Sequence, residues 1–211
     1  MTHKIEVIHM PPENTNSVLV SMGGDCVIID AWGRGDDWVR LLNNRKLRLR
    51  AVYTTHGHPD HFSAAPFLAA HYNVPWFLNE RDHEIIPWGN SLLDYFGLPR
   101  VTDSDTPPMV LGAGNITVLP GLVAAIIPAP GHSRGGVMYH FAGEKILVSG
   151  DTIFADGIGR WDLPGGDLDA LRGSISNVAK MNLPDDTRVI HGHGPDSTIG
   201  HLRTCNPYFK S

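Results

Sequence analysis

Four side chains of metal-binding type, His56, His58, Asp60 and His61, fall within six positions of the segment TTHGHPDHF (54–62). The pattern HxHxDH is expected by chance only about 0.003 times in a chain of this composition, so it calls for a physical reason. If YTT (53–55) ends a strand, the two-residue period puts His56 and His58 on one side. Pro59 then turns the chain, and Asp60 and His61 can face the same space. A histidine-rich surface loop feeding an N-cap aspartate is the alternative. One four-coordinate ion would be filled by this loop alone, so a working site needs donors from other strand ends. The apolar run LVAAIIPAP leads into Gly131 and His132, EKILVSG into Asp151, and TRVI into HGHG with His191 and His193. Open α/β sheets place their sites beyond the carboxyl ends of strands, where all these groups fall. The adjacent Gly131, Gly150, Gly192 and Gly194 are read as allowing close backbone approach to a bound species.

The rest of the chain is compatible with that demand. Short β-branched runs at IEVIHM, SVLVSM, DCVIIDA, RAVYTT and PWFLN read as strands bounded by turn residues. Helical spacing appears at 36–47 (Trp38, Leu41, Leu42) and at 62–72 (Ala65, Phe67, Leu68). The stretch 80–114 is irregular and reads as short helices and a surface loop. NITVLP, LVAAIIP, GVMYHF and EKILVSG then resume as strands, followed by a helix at 167–181 and the strand TRVI. Strands followed by a helix, twice over, argue for an α/β protein. Two mixed sheets would pack face to face with helices outside, an αββα sandwich forming one domain over 1–211.

Composition narrows the function. With 22 acidic against 17 basic residues the net charge is -5, which supplies no field for a polyanion, so nucleic acid is not an expected partner. The one basic run, RLLNNRKLRLR (40–50), reads as a solvated helix face, with an anionic contact as the alternative. Cys26 and Cys205 form no framework and no CxxC, and both read as packing residues. The N-terminus lacks the apolar core of a signal peptide. The longest aliphatic stretch, 122–127, is far short of the ~18 residues of a membrane span, so a cytoplasmic protein is expected.

Taken together, THGHPDH, PGHS, SGD and GHGP resemble the metallo-β-lactamase superfamily of binuclear metallohydrolases over nearly the whole chain. GDTIFADGIGRWDLPGGD and GHGPDSTIGHLRTCNPYF resemble its single-domain glyoxalase II-like (hydroxyacylglutathione hydrolase-like) branch. The resemblance implies one ion on His56, His58 and His132, another on Asp60, His61 and His193, and Asp151 bridging them. Each ion then has four protein donors, with a shared fifth position for water. His193 holds the GHGP position, whereas His191 stands where the family usually has proline and is read as lying behind the ligands. Two divalent ions are implied, zinc in the first place, with iron or manganese as alternatives.

The implied reaction is attack on a carbonyl by water held between the cations. A thiolate leaves without strong acid assistance and no dedicated general acid is evident, so a small-molecule thioester of the hydroxyacyl-glutathione type suits the site. Asp60 takes a secondary catalytic role, orienting the water or moving its proton. Arg160, in GIGRWD, aligns with a basic residue near the glutathione moiety and is the candidate substrate clamp; a structural ion pair with Asp162 is the alternative. Full-size glyoxalase II carries a further helical domain for glutathione contact, whereas this chain reaches Ser211 soon after its last ligand, which leaves the thiol half of the substrate open.

Two further activities fit this scaffold: a persulfide dioxygenase with one iron on His56, His132 and Asp151, and a lactonase. A β-lactamase is disfavoured because Asp151 stands where many such enzymes carry another ligand. GHSRG (131–135) matches a GxSxG nucleophile elbow, with Asp151 and His191 or His193 following in α/β-hydrolase order. An elbow needs a helix after the turn, however, and GVMYHF reads as strand. Ser133 is therefore expected to hydrogen-bond in the turn behind His132. A scaffold that binds metal without turnover is the last reading, and the presence of all seven ligand positions argues against it.

Overall fold

The computed structural model describes residues 3–12, 15–101 and 107–209. These form two six-stranded sheets. The first runs β1 (Lys4–His9), β2 (Asn16–Met22), β3 (Asp25–Ile29), β4 (Arg48–Tyr53), β5 (Trp76–Leu78) and β6 (Met109–Val110), in that spatial order. The pairs β1–β2 and β2–β3 are antiparallel and the rest are parallel. Met22 pairs with Asp25 across a two-residue turn in which Gly23 and Gly24 both take positive φ, 59° and 88°. That is the turn geometry tight hairpins favour. The second sheet holds β7 (Gly114–Leu119), β8 (Leu122–Pro128), β9 (Val137–Phe141), β10 (Ile146–Gly150), β11 (Arg188–His191) and β12 (Ser197–Thr198). Within it β10 and β11 are parallel and the other neighbours antiparallel.

Alternation along the strands builds three apolar layers. Cys26 and Ile28 of β3 face the helices of the first half, while Val27 and Ile29 face the other sheet. In the second sheet Ile146 and Val148 of β10 join the layer between the sheets, and Leu147 turns outward. Strands buried on both faces read as continuous apolar runs, as these do. The outer layers are covered by α1 (Gly35–Asn44) and α3 (Ala65–Tyr72) on one side and α5 (Leu168–Ala179) and α6 (Ile199–Cys205) on the other. The arrangement is the αββα sandwich.

Local chemistry moves several helix boundaries. The expected helix at 62–72 is instead α2 (Pro59–Phe62), a break, and α3. Pro66 lies in the first turn of α3, where its missing N–H is tolerated; inside a continuous helix it would have removed a hydrogen bond. Helix α1 stops at Asn44 rather than at 47, because Lys46 takes φ 56° and the Leu47 N–H closes back on Leu42 O. Helix α5 begins as expected, with Asp167 accepting the Ala170 N–H at 2.8 Å. The irregular stretch contains a 3-10 helix, Glu80–Ile85, and a full helix, α4 (Ile86–Tyr95). The short β12 and the helix α6 went unrecognised, since ST (197–198) is too brief to show a period.

The arginines of the basic run are paired locally. Arg40 pairs with Asp37, Arg45 with Glu6, and Arg48 and Arg50 with Asp25. Cys26 is buried, and burial lifts its thiol to about 12, consistent with packing; Cys205 is exposed on α6, contrary to expectation. No helix among the described residues is long and apolar enough to cross a membrane.

Candidate metal centre

Five strand ends meet at one edge of the sandwich. Asp30 follows β3, the His56–His61 loop follows β4, and His132, Asp151 and His193 follow β8, β10 and β11. Strand β4 ends at Tyr53, so His56 and His58 lie on a loop, not on the strand whose alternation the sequence suggested. Tertiary contacts hold that loop. Asp30 accepts the Thr55 N–H at 2.6 Å and the Thr55 hydroxyl at 2.8 Å, and Thr55 Oγ1 lies 3.0 Å from His56 Nδ1.

All seven expected donors converge here. Three groups have ligand atoms within 4.8 Å of one another: His56, His58 and His132; His56, His61 and Asp151; and Asp60, His61 and His193. His58 Nδ1 and His132 Nε2 are 2.8 Å apart, and His193 Nε2 is 3.1 Å from Asp60 Oδ2. Asp151 stands between the first and third groups, with Oδ2 at 3.5 Å from His132 Nε2 and 3.6 Å from His193 Nε2, and Oδ1 at 3.4 Å from His61 Nε2.

The atoms behind the donors fix their orientation. His132 Nδ1 donates to the Arg160 carbonyl at 2.7 Å, which leaves its Nε2 lone pair pointing into the cluster. His61 Nδ1 donates to Asp30 at 2.9 Å, with the same effect. Asp30 was not singled out from sequence, although an acid closing the apolar run DCVII was a signal. Asp82, also missed, is fully buried and accepts three bonds. These come from the Gly57 N–H at 2.8 Å, the Ser133 hydroxyl at 2.7 Å and the Gly135 N–H at 2.6 Å. It ties the loop of His56 and His58 to the loop of His132. Asn16, at the start of β2, donates its amide to the His191 and Gly194 carbonyls and its N–H to Gly192 O, bracing the loop of His193.

The electrostatics call for a cation. Burial, reinforced by neighbouring imidazoles, holds His56 well below the usual range and His58 down at about 3, so both present neutral lone pairs. Burial opposes ionisation of Asp60 and Asp151, but the adjacent His61 overcomes it and holds both carboxyls below their usual range. For His61 burial is again outweighed, and the carboxylates of Asp30, Asp60 and Asp151 raise it well above an ordinary histidine. The field that favours a proton there favours a divalent ion in front of it. His56 Nε2, His61 Nε2 and Asp151 Oδ1 are buried with no hydrogen-bond partner among the described residues. Unmet buried polar atoms are costly, and an ion coordinated by this set would satisfy them. The donor set therefore fits divalent metal.

Other sequence readings resolve differently. His191 bonds Ile153 O and Ser149 through Nδ1 and Ser197 through Nε2, so it serves the loop behind the cluster. Gly131, Gly150 and Gly192 make room for protein rather than for a bound species, while Gly194 faces open space at φ 74°. A Cβ on Gly150, at φ 50°, would collide with Thr55, and one on Gly192 with the Asp151 carboxylate. Arg160 makes the bidentate pair with Asp162, both bonds 3.0 Å. Ser133 donates to Asp82 and meets no histidine base, so the elbow triad is not assembled. Ser133→Ala is expected to cost about 1 kcal/mol of stability and to leave turnover within a few-fold. Loss of a thousandfold in kcat/KM would restore a serine nucleophile.

The fold and this donor set define a class: the chain belongs to the metallo-beta-lactamase superfamily, which it matches over residues 10–193. Among its relatives is the hydroxyacylglutathione hydrolase GloC of Haemophilus influenzae, 34% identical over 189 residues, covering 89% of this chain and 88% of that protein. The solved structure of BLEG-1, described as a B3 metallo-beta-lactamase, superposes with a TM-score of 0.85 at 30% identity and covers 100% of both chains. That of TTHA1623 in a di-iron-bound form gives 0.84 at 29% identity, covering 96% of this chain and 99% of that one.

Proposed function

We propose that this chain is a thioester hydrolase working with two divalent ions, on small thioesters of the hydroxyacyl-glutathione type. The placement of Asp151 carries this reading. Its carboxylate faces His132, His61 and His193 at once, so it can span ions held by His56, His58 and His132 on one side and by Asp60, His61 and His193 on the other. The likeness to GloC, described as a hydroxyacylglutathione hydrolase, supports the thioester half. Two bound cations would supply an acidified water and a Lewis acid for the developing oxyanion.

The chain's own residues do the positioning. Asp30 and the Arg160 carbonyl hold His61 and His132 in one tautomer and one orientation. Asp60, with Oδ2 at 3.1 Å from His193 and 3.5 Å from His61, would take the secondary role of orienting the attacking water or moving its proton. Arg160, its side chain 67% exposed, would trade Asp162 for a substrate carboxylate, an exchange of like ion pairs near water that costs little.

Elemental analysis of protein purified without added metal is expected to return about two equivalents of zinc, manganese or iron per chain. Chelation should abolish thioester hydrolysis, and readded metal should restore it. About one equivalent of iron, with oxygen consumption on a persulfide, would replace this reading by dioxygenation. Preference for a β-lactam over every thioester would align the chain with BLEG-1 instead.

A further inference from the structure

A chamber of about 320 Å³ opens directly on the cluster, with His58, Asp60, His132 and Asp151 on its inner side. Apart from Arg160, its remaining lining residues are apolar: Pro59 from α2, Trp88 and Leu92 from α4, and Phe154, Ile158 and Leu163 from the loop after β10. Trp88 and Leu92 are four residues apart and so share one helix face. Helix α4 is pressed onto the first metal loop, since a Cβ on Gly89 would stand only 3.0 Å from Pro59. That contact sets the Trp88 ring beside His58, tilted at 56° with centroids 5.8 Å apart. Arg160 is the single cation among the lining residues, and it is paired with Asp162. Arg160 offers a carboxylate-bearing thiol one partner at the rim, whereas the apolar lining suits an alkyl chain attached to the scissile carbonyl.

We propose that the chamber receives the acyl half of the substrate and selects apolar chains of several carbons over a short, polar group such as lactoyl. This rests on the thioester part of the reading above and departs from it in the acyl group, which is apolar rather than hydroxyacyl. Trp88 is then the specificity-determining residue, because it is the apolar lining side chain whose ring lies against the donor His58. Each methylene buried there should raise kcat/KM about fourfold until the chamber is full.

The experiment compares S-acetyl, S-butanoyl, S-hexanoyl and S-lactoyl glutathione on the metal-loaded protein. Calorimetry with acetate, butanoate and hexanoate is run in parallel as a readout independent of hydrolysis. The expected result is a rise from acetyl to hexanoyl, lactoyl below butanoyl, and the same order among the carboxylates. Trp88→Ala should lower hexanoyl kcat/KM about tenfold and flatten both series, while Trp88→Leu, which keeps an apolar wall, should retain the gradient. Hydrolysis without dependence on chain length, or with lactoyl preferred, overturns the proposal. Chain-dependent carboxylate binding without hydrolysis of any thioester upholds the chamber and overturns the thioesterase reading. Flat carboxylate binding in an inactive protein overturns both.

Discussion

Asp151→Ala is expected to lower kcat/KM by about a thousandfold or more and to leave at most about one tightly bound metal equivalent per chain. Asp151 is the one donor that faces both triads, and its carboxylate lies against three imidazoles, so its loss leaves each ion one donor short. Two divalent cations brought close together also need an anion between them, and alanine supplies none. Asp151→Asn separates these effects: it keeps the shape that Gly192 accommodates but removes the charge, and metal occupancy should fall nearly as far. Metal content and kinetics measured on the same preparations decide the matter. Two retained equivalents with wild-type turnover in Asp151→Ala would end the bridging assignment.

The second large effect is expected at Asp82, which touches no donor. Asp82→Ala strands the Gly57 N–H, the Gly135 N–H and the Ser133 hydroxyl in a fully buried place, and should cost about 3–5 kcal/mol of stability. For a domain with roughly 5–15 kcal/mol in total, that is a large share. Gly57 lies between His56 and His58, and Ser133 and Gly135 follow His132, so the first triad loses its register. Metal affinity there should drop about 10- to 100-fold, the range found for groups that orient ligands from behind. Urea denaturation and chelator competition on the loaded protein measure the two effects. A stability change below about 1 kcal/mol would show that the loops hold their register without Asp82.

Much of the site was legible because its signals are local. The donors of HxHxDH lie within six positions, and His132, Asp151 and His193 each follow an apolar run ended by glycine or proline. Their candidacy as donors did not depend on knowing which strands pair. His191 shows the limit of such reading. Two residues from His193 in the same HGHG, it spends both ring nitrogens on Ile153, Ser149 and Ser197. Composition cannot tell the two histidines apart, because the difference is the direction each ring takes from the chain.

Residue types and their position after apolar runs were thus enough to indicate the sandwich, its two halves and the candidate donors up to the choice between His191 and His193, which the family resemblance made, since alternation and turn chemistry are short-range properties. What only the tertiary structure decided lies in contacts distant along the chain. Asp82 reaches Gly57 and Gly135 across 25 and 53 positions, and Asn16 reaches His191 across 175. The chamber wall joins α4 to the loop after β10, two segments whose patterning carries no trace of each other. A buried carboxylate or a tryptophan acquires its role from what packs against it, and packing partners leave no period in the chain that contains them.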